Sequence, residues 1–110
     1  MATQGLLSIV QGGQVMAKVI AGADGYNIPH LARALRADPT TDAHELLRRA
    51  NLFDMGGPSL IVQTSADTYL SEEAMDVDEL PEWYRTKFDD PQFNPRWAHG
   101  TAEYTEIVEL

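Results

Sequence analysis

The chain predicts an α+β fold, a mostly antiparallel sheet of about four strands with two helices on one face. Three observations predict it. A glycine-turned pair of apolar segments opens the chain, two segments of helical period follow, and two further strand-like segments lie beyond them. The order is β-β-α-α-β, an irregular acidic segment, then a C-terminal edge strand. At 110 residues the chain is expected to be one domain, 1–110. A chain of this size hides roughly 65% of the surface its unfolded form exposes, enough for one core without disulfides or metals.

The opening segments, 5–11 and 14–21, flank Gly12-Gly13, and two glycines can both take the positive φ that tight hairpin turns require. A regular two-residue hairpin sets Val10 opposite Val15, Ser8 opposite Ala17 and Leu6 opposite Val19. The other face then carries Leu7, Ile9, Met16, Lys18 and Ile20. Both faces are largely apolar, so the hairpin is expected inside the sheet.

Asp24-Gly25-Tyr26-Asn27 reads as a turn, with Asn27 as the N-cap of a helix and Pro29 in its first turn. Ile28, Leu31, Ala32 and Leu35 recur at helical spacing, and Asp38-Pro39 ends the run. A second helix starts at Asp42, with Glu45 completing a capping box. Ala43, Leu46, Leu47 and Ala50 are its apolar stripe, and His44, Arg48 and Arg49 its solvent side. Gly56-Gly57-Pro58 turns into a short strand over 59–64. Farther on, a helical turn is expected at 71–74 and a short helix from Pro81 carrying Trp83, Tyr84 and Phe88. Asp90-Pro91 and Asn94-Pro95 impose extended or turn geometry. The last strand spans 101–110, with Glu103, Glu106 and Glu109 suited to an edge.

The absence of cysteine removes disulfide, thiol-nucleophile and thiolate-metal chemistry. The N-terminus lacks the positive charge that opens a signal peptide, and Gly12-Gly13 and Lys18 interrupt the one long nearly uncharged stretch. The expectation is a cytoplasmic protein with no membrane association. The net charge of −9 opposes direct nucleic-acid binding. That charge is segregated: residues 1–66 balance five acids with five bases, whereas 67–110 hold twelve acids against Arg85, Lys87 and Arg96.

No motif specifies a reaction. The glycine pairs lack the lysine of a phosphate loop and the spacing of a dinucleotide fingerprint, so turn chemistry explains them. His30, His44 and His99 sit at no metal-motif spacing. A site of Asp24, His30 and His44 needs the first turn and both helices to converge, and solvated or capping histidines are the plainer reading. No Gly-x-Ser-x-Gly elbow is present. The acidic run of Asp67, Glu72, Glu73, Asp76, Asp78, Glu79 and Glu82 lacks the pattern of a calcium loop. It reads either as a solvated loop or as a docking surface for a basic partner. Seven of the nine aromatic residues fall in the same acidic half. Most are expected to pin the irregular segment to the sheet, with Trp83 or Tyr84 left exposed as an interface anchor.

The opening Met1-Ala2-Thr3-Gln4-Gly5, the turn Asp24-Gly25-Tyr26-Asn27 and the ending Gly100-Thr101-Ala102-Glu103-Tyr104 resemble a loose family of small bacteriophage and mobile-element proteins. Members open Met-x-Thr-Arg-Gly and reach Asp-Gly-Tyr-Pro; this chain has Gln4 for the arginine and Asn27 for the proline. The resemblance implies a phage-related origin and supplies no activity. The hairpin near Thr3 is also similar to the opening of N-terminal-nucleophile hydrolases, which would require removal of Met1 and Ala2.

The leading expectation is a non-catalytic binding protein without a cofactor or resident metal. Its acidic half would occupy a basic site on a host protein, as an anti-defence inhibitor imitating nucleic-acid charge, through Asp67, Glu72, Glu73, Asp76, Asp78, Glu79, Glu82, Trp83 and Tyr84. The alternative is a small-molecule or nucleotide-binding protein using Asp24, Tyr26, Asn27, His30 and Arg33, where a helix N-terminus offers N–H groups to an anion.

Overall fold

The computed structural model describes residues 3–50, 60–64, 74–95 and 102–110. The expected turns at 56–58 and 71–74, the acids Asp67, Glu72 and Glu73, and His99 lie outside the described residues or reach only partly into them.

Five strands form one sheet: β1 (Gly5–Gln11), β2 (Gln14–Ala21), β3 (Leu60–Gln63), β4 (Ala74–Asp76) and β5 (Tyr104–Glu109). Their spatial order is β4-β3-β2-β1-β5. The pairs β1–β2 and β2–β3 are antiparallel, while β1–β5 and β3–β4 are parallel. The sheet is therefore mixed and five-stranded, which corrects the expectation of four mostly antiparallel strands. Two physical reasons account for the difference. The three residues of β4 are too few to show a period. Strand direction at β5 is set where the chain re-enters, with Tyr104 N–H on the Gln4 carbonyl, a tertiary contact that alternation does not encode.

Gly12 and Gly13 adopt φ of 60° and 79°, as the hairpin turn requires. Its register departs from the regular expectation. A β-bulge between Ile9 and Val10 keeps Val10 opposite Val15 but sets Ser8 opposite Lys18 and Leu6 opposite Ile20. Met16 is the extra residue, and every β2 side chain beyond it changes face.

The bulge sorts the hairpin into two buried faces. On one, Leu7, Ile9, Ala17, Val19 and Ala21 join Ile61 and Val108 beneath the helices α1 (Ile28–Ala37) and α2 (Ala43–Arg49). Ile28, Leu31, Ala32 and Leu35 of α1 and Ala43, Leu46 and Leu47 of α2 close that core, as their spacing predicts. Asp38 takes an extended backbone and ends α1 before Pro39. Asp42 caps α2 by accepting from the Glu45 N–H at 2.9 Å. Asn27, expected as a cap, is instead the last residue of a 3-10 turn, Gly25–Asn27, that runs straight into α1. Its backbone is already helical, so its side chain cannot reach the first N–H groups and donates to Asp24 at 3.4 Å.

On the other face Leu6, Val15, Ile20 and Val62 pack against Leu80 and Phe88. Here the cover is an irregular run: the 3-10 turn Val77–Glu79, the four-residue helix α3 (Glu82–Arg85) and the turns that follow to residue 95. Phe88 lies past the end of α3 and is its chief apolar anchor. No described helix is long and apolar enough to cross a membrane.

Candidate functional site

The described part of the acidic segment forms a shelf at the outer side of this second face. At the end of β4, the Asp76 carboxylate accepts from the Asp78 N–H at 3.0 Å, and Glu79 accepts from the Asp76 N–H at 3.1 Å. These two acids are thereby committed to capping the 3-10 turn. Asp78 is exposed and meets a cation only at 3.9 Å, from Arg85. Glu82 opens α3 and is exposed.

Trp83 is 53% exposed and is stacked on Tyr84, with ring centroids 3.8 Å apart. Tyr84 in turn leans on Phe93 at 6.0 Å. The indole is thus held flat from beneath while its outer surface meets water. Asp76, Asp78, Glu79, Glu82, Trp83 and Tyr84 are neighbours in sequence over residues 76–84, of which Asp78, Glu79, Glu82 and Trp83 are exposed.

Beneath the shelf lies a polar pair that composition did not mark. Ser8 and Lys18 are fully buried between the sheet and residues 86–95. Ser8 Oγ donates to the Pro91 carbonyl at 2.6 Å. Lys18 Nζ donates to the Asp90 carbonyl at 2.7 Å and to that of Phe93. The rings of Phe88 and Phe93 flank the ammonium at 5.1 and 5.9 Å. Loss of water pulls the amine down to about 8, against the opposing pull of Asp90 and Asp89. The one available signal was a serine and a lysine inside an otherwise apolar hairpin.

The turn residues of the alternative site have structural employment. Thr3 N–H donates to Ala23 at 3.0 Å, and Gly25 N–H donates back to Thr3 at 2.8 Å. The Thr3 main chain is therefore tied on both sides to the Asp24 turn, the place where a hydrolase would need a free amine. Asp24 accepts from Asn27, and Tyr26 is exposed. Arg33 points away from the core on α1.

His30 contributes to a different feature, an open groove of about 450 Å³ between α1 and α2. Its floor is Leu31, Leu35 and Leu46, and its rim holds His30, Asp38 and Arg49. Arg49 approaches Asp38 at 3.7 Å. Hydrogen bonds from Thr40 hold the Asp38 carboxyl below its ordinary range. Among the described residues no group of three His, Asp or Glu side chains is placed to hold a metal ion, so Asp24, His30 and His44 do not converge.

No family model, no curated protein and no solved structure matches this chain.

Proposed function

We propose that the protein is a non-catalytic binding protein whose acidic and aromatic shelf docks on a basic surface of a partner protein. The observation that carries the reading is Trp83, an exposed indole braced by Tyr84, in a segment that also exposes Asp78 and Glu82. A large exposed aromatic ring with a rigid backing supplies contact area at low entropic cost. The surrounding negative charge speeds encounter with a cationic surface and makes binding sensitive to salt. The resemblance to small bacteriophage proteins supports a host protein as partner, with a nucleic-acid-binding groove of a defence complex as the basic site to test first. The acids Asp67, Glu72 and Glu73 belong to the same proposed surface by sequence.

The test is capture from host lysate at low and high salt, run in parallel with a variant carrying Asp78→Asn, Glu82→Gln and Trp83→Ala. A basic protein held by the wild type at low salt, released at high salt and missed by the folded variant supports the reading. Equal capture by both proteins sinks it.

A second reading, binding of a small ligand, is favoured by the groove between α1 and α2. Its volume lies in the range of ligand pockets, and its apolar floor meets a polar rim of His30, Arg49 and Asp38, the last two 3.7 Å apart. A thermal-shift panel of nucleotides and apolar carboxylic acids tests it; stabilisation abolished by Arg49→Ala supports the groove, and a flat panel removes it.

A further inference from the structure

The attachment of residues 86–95 to the sheet is lopsided. The side chains of one cross-strand pair, Ser8 and Lys18, reach from the strands to its carbonyls, and the side chain of Asn94 within it is also buried. The segment's main-chain bonds are local instead. Phe88 N–H reaches Arg85, Asp90 N–H reaches Lys87, and Phe93 N–H reaches Asp90. The Asp90 carboxylate also accepts from the Gln92 N–H at 3.0 Å. A segment that keeps its own turns, with these main-chain bonds local and not to the strands, separates at lower cost than the whole core.

We propose that residues 86–95 are a strap that lifts from the sheet as a unit, and that Lys18 is the clasp whose charge sets how often it lifts. With the strap closed, the Lys18 ammonium has lost its water and keeps two carbonyls and the faces of two phenyl rings. The charged groups facing it are Asp90 and Asp89, both on the strap. Lys87 lies 5.2 Å from the Phe93 ring that Lys18 also contacts. The strands beside Lys18 present Ser8 and Val62, which carry no charge. His30 and His44 belong to the helices on the opposite face.

The sign of the effect follows from these contacts. Burial outweighs the two aspartates, so the closed strap holds the Lys18 proton less tightly, near 8, than an open strap that returns the amine toward 10.5. Protonation therefore favours opening. A neutral amine still has two N–H groups for the two carbonyls, so rising pH tightens the strap without removing its bonds. Lifting exposes Leu6, Ile20 and Val62, and it withdraws Phe93 from under Tyr84. The same motion thus reaches the Trp83–Tyr84 stack from below.

Amide hydrogen exchange on the whole chain, followed by mass spectrometry and corrected for intrinsic rates, tests the proposal. Peptides covering 86–95 are compared with peptides covering α1. The strap is expected to be less protected than α1, and its protection to rise about tenfold between about pH 7 and about pH 9. Lys18→Met, which keeps the stem and removes the amine, should leave strap protection equal at the two values. Equal protection of strap and α1 in the wild type overturns the proposal, as does strap protection that ignores pH. If Lys18→Met does not fold, those two wild-type comparisons alone decide.

Discussion

Ser8 and Lys18 stand directly opposite each other across β1 and β2, and both side chains end on main-chain carbonyls of the same turn, residues 90–93. The bulge at Ile9 and Val10 creates this pairing. In a regular hairpin Ser8 would face Ala17, and Lys18 would point among the apolar side chains beneath the helices. One extra residue in β2 thus assigns the polar pair to the face that the irregular segment covers. It leaves the helix face wholly apolar across Leu7, Ile9, Ala17 and Val19.

The first prediction concerns the smaller member of the pair. Ser8→Ala removes the donor to the Pro91 carbonyl in a site without access to water. An acceptor left unpaired there costs about 1–3 kcal/mol. Urea unfolding should show a lower midpoint with an unchanged slope. A midpoint equal to the wild type would mean that the carbonyl finds another donor and that Ser8 does not anchor the turn.

Lys18 makes a prediction about pH whose sign differs from that of a salt-bridged lysine. Its amine is lowered on folding, from 10.5 to about 8, mainly by loss of water. The unfolded chain therefore binds the extra proton between those values, and stability rises with pH across that window. One proton corresponds to about 1.4 kcal/mol per pH unit at most. The measurement is the difference in unfolding free energy between wild type and Lys18→Met, in which contributions common to both proteins cancel. That difference should shift in favour of the wild type from about pH 8 upward and be flat below. A shift in the opposite direction would mean that the charged amine is better off in the fold than in water.

Gly5 and Gly25 lie where backbone meets backbone. A Cβ on Gly25 would lie 2.3 Å from the Gln4 carbonyl carbon, and one on Gly5 would lie 2.7 Å from the Gly25 Cα. The two backbones touch where the first turn crosses the start of β1. Gly25→Ala must push main chain apart, not merely a side-chain tip, and should cost about 1–3 kcal/mol or more. A melting temperature unchanged by that substitution would show that the crossing relaxes freely.

Much of the helix layer was legible because its signals are local. Ile28, Leu31, Ala32 and Leu35 repeat within ten residues, and Asp42 with its acceptor role needs only the next turn. Gly12-Gly13 likewise specifies its own turn. What could not be read depends on residues far apart in the chain. Lys18 is a lone charge on a largely apolar strand until residues 90–93, more than seventy positions later, supply its carbonyls. The bulge at Met16 has no glycine or proline to announce it. By charge Asp76 and Glu79 belong with the other acids, whereas the backbone N–H groups they accept from give them a separate role.

That division among the acids is testable. Asp76→Ala removes the cap of the 3-10 turn and should cost about 1 kcal/mol. Asp78→Asn and Glu82→Gln touch no buried group and should leave stability within about 0.5 kcal/mol of the wild type. Partner capture should respond in the reverse order, falling with Asp78→Asn and Glu82→Gln more than with Asp76→Ala. If Asp76→Ala weakened capture most while stability stayed constant, the capping acid itself would be the contact.

The last prediction concerns the outer edge of β5. Tyr104 and Leu110 donate inward to Gln4 and Val10, so the even-numbered residues bond to β1 and the odd-numbered ones present their main-chain groups outward. Ile107 is the middle of the outward set, and its carbonyl accepts from Arg36 Nη2 at 2.7 Å, with Glu106 holding the same nitrogen at 3.1 Å. An α1 side chain thus occupies the centre of an edge that another strand would need. The ion pair is exposed, so Arg36→Ala should change stability by less than about 1 kcal/mol. Its effect should appear in association instead. Sedimentation of Arg36→Ala at rising concentration should give a larger mass than the wild type at equal concentration. Identical sedimentation of the two proteins would show that Glu103, Glu106 and Glu109 guard the edge without the arginine, by charge repulsion between approaching strands.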